Sequence, residues 1–205
     1  MTIDARRVEA AVSELLAAIG EDPGRDGLRE TPRRVAEAYA EFFAGIGADP
    51  AAALAEAQGF DGAADAAGEL VALRGIAFRS VCEHHLLPFH GTATVAYRPG
   101  ERIVGLGALA RVVEIAAARP QLQERLTEQI ADAVQAGLAP RGVLVVVEAA
   151  HGCVSARGPR QGAAVTVTVA ARGELADPTG RAEAIALVTG AGTSASPTPA
   201  DGAAG

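Results

Sequence analysis

The chain has 205 residues, of which 49% are hydrophobic and only 3% aromatic, so it is long enough to bury one compact and largely aliphatic core. All 18 basic residues are arginines and the formal net charge is -7, which argues against a general nucleic-acid binder, because such proteins need a basic face to neutralise phosphates. A few converging arginines could still hold a small anionic ligand.

The N-terminal segment and the two cysteines bear on the cellular compartment. The segment MTIDARRVEA carries no apolar run of signal-peptide type, and no stretch approaches the ~20 apolar residues of a membrane-spanning helix. We therefore expect a cytoplasmic protein with no membrane and no nucleic-acid partner. In that compartment two cysteines are more often thiols or metal ligands than a structural disulfide.

Two helices are predicted in residues 1–68, which we take as an N-terminal helical region. The first covers residues 4–19 and ends at Gly20, because apolar residues recur at helical spacing: Val8, Val12, Leu15, Leu16 and Ile19. The second begins at Thr31, a good N-cap residue, with Pro32 at the first helical position. Residues 45–68 are rich in Ala, Gly and Asp, which predicts a short helix with loops.

From residue 70 onward the hydrophobic period changes from that of a helix to that of a strand. Two alternating segments, 76–82 and 92–97, predict strands joined by the loop EHHLLPFHG. A helix follows over residues 106–118, and another opens at Pro120 with apolar residues four apart: Leu122, Leu126, Ile130 and Val134. The apolar run 143–147 and the alternating valines at 165, 167 and 169 predict two more strands, joined across RGPRQG.

The order of elements is two helices, two strands, two helices and two strands. This order predicts an α+β domain in which a four-stranded antiparallel sheet carries a helix pair on one face, preceded by the N-terminal helices. We place the domain at residues 69–188. Residues 189–205 are small and polar without an apolar period, and we expect them to form a disordered tail.

Cysteine and histidine residues gather at the ends of two predicted strands. Cys82 and His85 lie three residues apart after the first strand, a spacing that suits zinc chelation from one turn. Cys153 follows the third strand, so the two groups meet at one end of the sheet if the hairpins are neighbours. Two thiolates and one imidazole suit zinc, and three protein ligands leave a position for water, whose pKa zinc lowers to about 7. The pattern predicts hydrolytic chemistry.

Spacing alone leaves two other interpretations of these residues open. One is a closed structural site in which His84 or His151 is the fourth zinc ligand, and the other is a metal-free cysteine pair that forms an adventitious disulfide. Two further histidines, where a structural site needs only one more ligand, favour catalysis. Imidazoles next to the proposed ligands can transfer protons near neutral pH.

Four segments of the chain together resemble the GTP cyclohydrolase I family. They occur in the family's order and read GEDPGRDGLRETPRRVAEAY, SVCEHHLLPFHGTATVAY, IVGLGALARVVEIAAARPQLQERLTEQIADAV and VEAAHGCVSARG. The motifs CEHH, RPQ-x-QERL and H-x-C-x-x-x-RG are, in combination, highly specific. The resemblance covers most of residues 1–188.

This resemblance implies both an architecture and a reaction. The architecture is a tunnelling-fold subunit assembled into a homodecameric ring, with active sites at subunit interfaces. The reaction is hydrolytic opening of the imidazole ring of GTP, loss of C8 as formate, and ribose rearrangement and closure to 7,8-dihydroneopterin triphosphate, the first step of folate and pterin biosynthesis.

The resemblance also implies roles for the metal-site residues. Zinc would be held by Cys82, His85 and Cys153. His84 and His151 would be the proton-transfer residues. This assignment leaves the fourth zinc position for the attacking water.

Substrate contacts are implied in the same way. Glu124 would anchor guanine through its N1–H and 2-amino group, with Gln123 beside it, although periodicity alone makes Glu124 a solvated residue. Arg34, Arg111 and Arg157 match positions that bind the triphosphate, with Arg34 acting across a subunit boundary.

The chain departs from the family at Gly107 and Ala108, where the family usually has serine and lysine in contact with the triphosphate. Losing one charge-assisted contact costs about 1.5–3 kcal/mol, so we expect weaker GTP binding unless Arg160 or another arginine substitutes. Two alternatives follow from the departure. One is a paralogous zinc enzyme that acts on another purine nucleotide, and the other is a non-catalytic ring protein that binds guanine nucleotides.

Overall fold

The computed structural model describes residues 3–59 and 69–190. Its helices are α1 (Ala5–Ala18), α2 (Thr31–Phe42), α3 (Leu106–Ala117), α4 (Gln123–Leu138), α5 (Gly152–Ser155) and α6 (Pro178–Thr189). Its strands are β1 (Gln58–Gly59), β2 (Val71–Cys82), β3 (Pro88–Arg98), β4 (Arg102–Ile103), β5 (Pro120–Gln121), β6 (Gly142–His151) and β7 (Thr166–Gly173). Short 3₁₀ helices cover Pro50–Leu54 and Glu174–Ala176.

The four long strands form the antiparallel sheet that the alternating segments predict, in the order β2-β3-β6-β7. β5 adds two residues parallel to the end of β2, so the sheet has five strands rather than four. The register places Phe89 of β3 opposite His151 of β6. The end of β2, the start of β3 and the end of β6 therefore lie at one end of the sheet. The combination of this sheet with the helices confirms the mixed α+β class.

The two faces of the sheet bury different elements. One face packs against the predicted helix pair, α3 and α4. The core between this face and the helices includes Phe78, Val95 and Val145 from the sheet and Leu109, Val113, Leu126, Ile130 and Val134 from the helices. The other face packs against α6 in a smaller cluster of Ala96, Leu144, Val146, Leu175, Ala184 and Val188. Because β6 has a helix on each face, it is apolar along most of its length rather than alternating.

The N-terminal helices α1 and α2 pack mainly against each other. α1 has no fully buried residue, and Leu15 and Ile19 on its apolar stripe are exposed. Thr31 is the first residue of α2 rather than its N-cap, because Glu30 occupies the cap position and makes no side-chain cap bond.

Three other expectations differ from the structure. Pro120 does not open a helix, because residues 120–121 pair with Val81 and Cys82 of β2 and α4 begins only at Gln123. The buried Gln121 amide also donates to the Ala116 carbonyl of α3. The loop after β2 is shorter than predicted, because β3 already begins at Pro88. α6 was not predicted at all.

Part of the predicted division of the chain lies outside the described residues. That applies to residues 60–68 in the N-terminal region and to residues 191–205 in the expected tail. The boundaries at residues 68 and 188 stay predictions. Within the described ranges, none of the helices combines the length and the apolar character that crossing a membrane requires.

Candidate metal centre

A tight turn after β2 brings Cys82 and His85 together. The backbone N–H of Cys82 donates to the Leu87 carbonyl at 2.8 Å, and the N–H of Leu86 donates to the Cys82 carbonyl at 2.8 Å. Leu86 adopts a left-handed conformation with φ of 51°, which is unusual for a residue with a branched side chain. Such conformations persist where the surroundings enforce them, and they concentrate at functional sites.

Cys153 reaches this turn from the other side of the sheet end. β6 ends at His151, and the single turn of α5 begins at Gly152. A Cβ atom at Gly152 would lie 2.8 Å from the carbonyl oxygen of Pro88. The glycine therefore permits the close backbone approach that sets Cys153 beside the residues after β2.

The ligand atoms of Cys82, His85 and Cys153 all lie within 4.8 Å of one another. Both cysteines are free thiols, so the adventitious disulfide is not formed. Burial raises the pKa of the Cys153 thiol above its ordinary value, and the neighbouring Cys82 raises that pKa further. Two thiols and an imidazole at this separation fit a soft divalent cation such as zinc, whose charge would stabilise both thiolates.

The geometry bears on the closed-site alternative. Among the described residues, the group of side chains close enough to share one metal ion consists of these three, without His84 or His151. His84 is exposed and its ring lies edge-on to that of His85, with centroids 6.2 Å apart. The arrangement favours a three-ligand site over a closed four-ligand site.

His151 is fixed by two neighbours. Its ring stacks on Phe89 with centroids 4.7 Å apart and planes 4° from parallel, which follows from their pairing across β3 and β6. Its Nε2 lies 2.7 Å from Oε1 of Gln123. Burial lowers the pKa of His151 below its ordinary value, and attraction to the nearby Glu124 carboxylate opposes that shift.

The predicted guanine contacts lie side by side at the start of α4 but point to different surroundings. Glu124 is exposed in the first turn of the helix. Gln123 is only 2% exposed, and its side-chain amide contacts protein atoms of β6, β7 and His151. Glu124 is therefore open to a ligand, whereas Gln123 is engaged inside the protein.

The three predicted phosphate-binding arginines lie on different parts of the chain. Arg111 lies on the exposed side of α3 and pairs with Glu114 at 2.7 Å. Arg34 is exposed on α2, and Arg157 is close enough to Cys153 to lower the pKa of its thiol slightly. None of the hydrogen bonds and ion pairs found in residues 3–59 and 69–190 links any of the three to a metal-ligand side chain.

One positioning contact was missed by sequence reasoning. Arg125 of α4 binds Glu83, between Cys82 and the two histidines, through two N–H···O contacts of 2.6 and 3.3 Å. Arg125 and Glu83 are opposite in charge, but they lie 42 residues apart in the sequence and only the fold brings them together. A cavity of about 470 Å³ lies elsewhere, between α2, β2 and α3, and Phe42 and Phe78 line it rather than the metal ligands.

Comparison with known proteins gives a consistent result. A family model described as GTP cyclohydrolase I matches residues 8–189. The protein named GTP cyclohydrolase 1 from Leifsonia xyli subsp. xyli is 62% identical over 185 residues, which cover 90% of this chain and 95% of that protein. Proteins of the same name from Streptomyces griseus subsp. griseus and Mycobacterium ulcerans are 53% and 55% identical, covering 90% of this chain and 90% and 91% of theirs.

A solved structure, of an archaeosine synthase QueF-Like in the apo form, covers 52% of this chain and 95% of that one, with a TM-score of 0.42 and 20% identity. Likeness at that level carries no conclusion about this chain.

Proposed function

The chain belongs to the GTP cyclohydrolase I family, and from that membership we propose a zinc-dependent enzyme that opens the imidazole ring of GTP by hydrolysis. The products are formate and 7,8-dihydroneopterin triphosphate, which makes the reaction an entry step to folate and pterin biosynthesis. The observation that carries the proposal is the cluster of Cys82, His85 and Cys153 with His151 and Glu124 beside it.

Cys82, His85 and Cys153 are the proposed zinc ligands. Their three donor atoms match zinc in type and in mutual separation. Zinc bound by three protein ligands supplies Lewis-acid activation of a water molecule as the nucleophile.

His151 and His84 are the proposed proton-transfer residues. Attack at C8 of the purine pushes an electron pair onto a ring nitrogen, which then needs a proton before the C–N bond breaks. Phe89 and Gln123 hold the His151 ring in place, and burial lowers its pKa, which favours the neutral imidazole. His84 is exposed beside the ligand His85, where a substrate can reach it.

Glu124 is the proposed guanine anchor. A carboxylate can accept from the N1–H and the 2-amino group of guanine at once, which rejects adenine because adenine lacks that donor pair. Glu124 is exposed and has no hydrogen-bond partner among the described residues, so both carboxylate oxygens are free to accept.

The triphosphate is assigned to Arg34, Arg111 and Arg157, with weaker binding expected from Gly107 and Ala108. Gly107 lies in the first turn of α3 with open space around it, and no side chain caps that helix. A Michaelis constant for GTP in the ordinary range of the family would contradict the expected weakening.

A tunnelling-fold ring with active sites between subunits belongs to the same proposal. Its support is that, among the described residues, the sheet has two largely unpaired edges. β7 is terminal on one side, and on the other side β2 pairs with β5 only at Val81 and Cys82. Val167 on the β7 edge is 55% exposed. Joining unlike edges of successive copies gives a head-to-tail interface, which closes into a ring when the rotation allows.

The deciding experiment incubates the zinc-loaded protein with GTP and measures formate together with neopterin fluorescence after oxidation. Both products support the proposal. Turnover of another purine nucleotide alone supports the paralogous enzyme that the change at residues 107 and 108 suggests, and binding without turnover supports a non-catalytic ring protein.

A His151→Ala variant separates catalysis from metal binding. If His151 transfers protons, the variant keeps stoichiometric zinc and loses activity. Loss of zinc from this variant would make His151 a ligand and the site a closed one.

A further inference from the structure

Gln123 occupies the centre of a buried hydrogen-bond network that joins α4 to β6, β7 and His151. Its Nε2 lies 3.0 Å from the Val147 carbonyl and 2.9 Å from the Thr166 carbonyl. A third acceptor, the hydroxyl of Thr168, lies 3.1 Å from the same nitrogen. On the other side of the amide, Oε1 lies 2.7 Å from Nε2 of His151.

The two carbonyls fix which way the amide faces. A backbone carbonyl can only accept, so the NH₂ group of Gln123 must face Val147 and Thr166. The reversed amide would set Oε1 against two carbonyl oxygens at about 3 Å, leaving buried acceptors in repulsion and without donors. Oε1 is thereby directed at His151 whatever the orientation of the Thr168 hydroxyl.

The hydroxyls nearby agree with this direction. Thr127 Oγ1 donates to the Gln123 carbonyl at 2.8 Å and lies 2.6 Å from Thr168 Oγ1. If Thr127 gives its proton to that carbonyl, Thr168 donates to Thr127 and has a lone pair left for the Gln123 amide. Every proton in the chain of bonds then has at least one acceptor.

An amide oxygen can only accept, so the ring nitrogen it faces must carry a proton. The neutral imidazole of His151 is thereby restricted to the tautomer with hydrogen on Nε2 and a lone pair on Nδ1. The stacked Phe89 fixes the plane of the ring, so Nδ1 also has a fixed direction.

We propose that Gln123 is a positioning residue that holds His151 in the Nε2-protonated tautomer and so makes Nδ1 the nitrogen that exchanges a proton during the reaction. The inference rests on the proposed function of His151. Nδ1 can gain a proton and lose it again while Nε2–H stays bonded to Gln123, because the amide oxygen accepts from the neutral and the cationic ring alike. Gln123 acts through His151 and does not contact the guanine base.

The first test reads the tautomer directly. In zinc-loaded protein labelled with ¹⁵N-histidine, solid-state NMR distinguishes Nε2–H from Nδ1–H in a neutral ring, and the His151→Ala variant identifies the signal among the four histidines. We expect the Nε2–H form for His151. A signal of the Nδ1–H form in the unmodified protein overturns the proposal without any Gln123 variant.

The second test replaces the amide. Gln123→Met keeps the length and the helix propensity but removes the acceptor, and Gln135→Met is the matched control on the same helix, since Gln135 donates to the Pro140 carbonyl and does not touch His151. Thr168→Val removes one acceptor of the Gln123 amide but leaves both carbonyls, so the Nε2–H tautomer of His151 should persist in this variant. It keeps the proposal testable if Gln123→Met does not fold.

For Gln123→Met we expect a mixed tautomer signal and a fall in kcat of about 10- to 100-fold, with KM for GTP close to the unmodified value. Gln135→Met should change none of these. A raised KM with unchanged kcat in Gln123→Met would make Gln123 a substrate contact and overturn the proposal. An unchanged tautomer in Gln123→Met would overturn it too, as would loss of the Nε2–H tautomer in Thr168→Val. If the protein does not act on GTP, the proposed function fails while the NMR result still decides the tautomer.

Discussion

Removing the guanidinium of Arg125 should weaken metal binding at a cluster that Arg125 does not touch. Arg125 holds Glu83, and Glu83 lies in the five-residue turn between Cys82 and Pro88 that carries His85. The turn has few other restraints, namely the backbone bonds of Cys82 with Leu86 and Leu87 and one bond from the Glu83 N–H to the Gln121 carbonyl at 3.1 Å.

The size of the effect follows from the exposure of the pair. The side chain of Arg125 is 49% exposed and that of Glu83 is 28% exposed, so water screens the attraction considerably. A bidentate pair in such a setting is worth about 0.5–1 kcal/mol. If all of that free energy serves to order the turn for the metal, zinc affinity falls by about two- to fivefold.

A double-mutant cycle of Arg125→Met and Glu83→Gln measures this coupling. Zinc affinity is determined by competition with a chelator, at low and at high salt, because screening should shrink the effect. Arg172→Met is the control, since Arg172 also binds two acidic residues of α4, Glu128 and Asp132, but lies on β7 away from the turn. Equal affinity in Arg125→Met and the unmodified protein, or a coupling energy near zero, would refute the reasoning.

Substitutions of a ligand, a close-packed strand glycine and an exposed carboxylate should give three different results. Cys153→Ser should lose stoichiometric zinc in chelator competition, and retention of tightly bound metal would remove Cys153 from the ligand set. Gly91→Ala would drive a Cβ atom into the Glu148 carbonyl oxygen and force β3 away from β6. Its free energy of unfolding, measured in urea, should therefore fall by about 3 kcal/mol, and an unchanged urea midpoint would contradict this. The hydrogen bond from Arg141 lowers the pKa of Glu174. The pair therefore stabilises the protein fully above the unfolded pKa of about 4.3, and this contribution is lost as the pH falls through the lower folded pKa. Glu174→Gln should flatten the acid side of a plot of melting temperature against pH, and an unchanged slope would count against the pair.

The sequence predicts β2 and α4 correctly because each buries one face. β2 has a clear alternation from Ile76 to Ser80 because one face packs against α3 while the other meets fewer residues. α4 shows a stripe of buried apolar residues spaced four apart, Leu126, Ile130 and Val134, for the same reason. In both cases the period of the apolar residues directly reflects the geometry of the buried face.

α6 escaped prediction because its burial is slight. It contributes only Ala184 and Val188 as fully buried residues, and the exposed Leu187 breaks the pattern. A capping signal was nevertheless present: the Asp177 side chain accepts from the Thr179 N–H at 3.0 Å, and Pro178 follows the cap at the first helical position. Cap residues would have found this helix where periodicity did not.

At the candidate site, spacing in the sequence predicts which residues a single turn brings together, whereas contacts between distant segments depend on the register of the strands. Cys82 and His85 could be paired from their separation in sequence, whereas Cys153 needed the pairing of β3 with β6. The inward direction of Gln123 also had a signal, since Gln123 and Thr127 are four residues apart and lie next to the apolar stripe of α4, on its buried face. Polar residues on a buried stripe must find internal partners, and here those partners include a catalytic candidate.

The exposure of the site residues divides the candidate site into two halves. The half proposed for metal binding and proton transfer contains buried contacts of this chain: Phe89 stacks on His151, and Gln123 binds its Nε2. The half proposed for phosphate binding consists of exposed arginines on α2, α3 and the segment after α5, which no contact within the described residues draws together. Positive charges become a phosphate site only when something holds them close against their mutual repulsion. The family resemblance implies that Arg34 acts across a subunit boundary, so in the proposed ring a neighbouring copy would supply that arginine to this site.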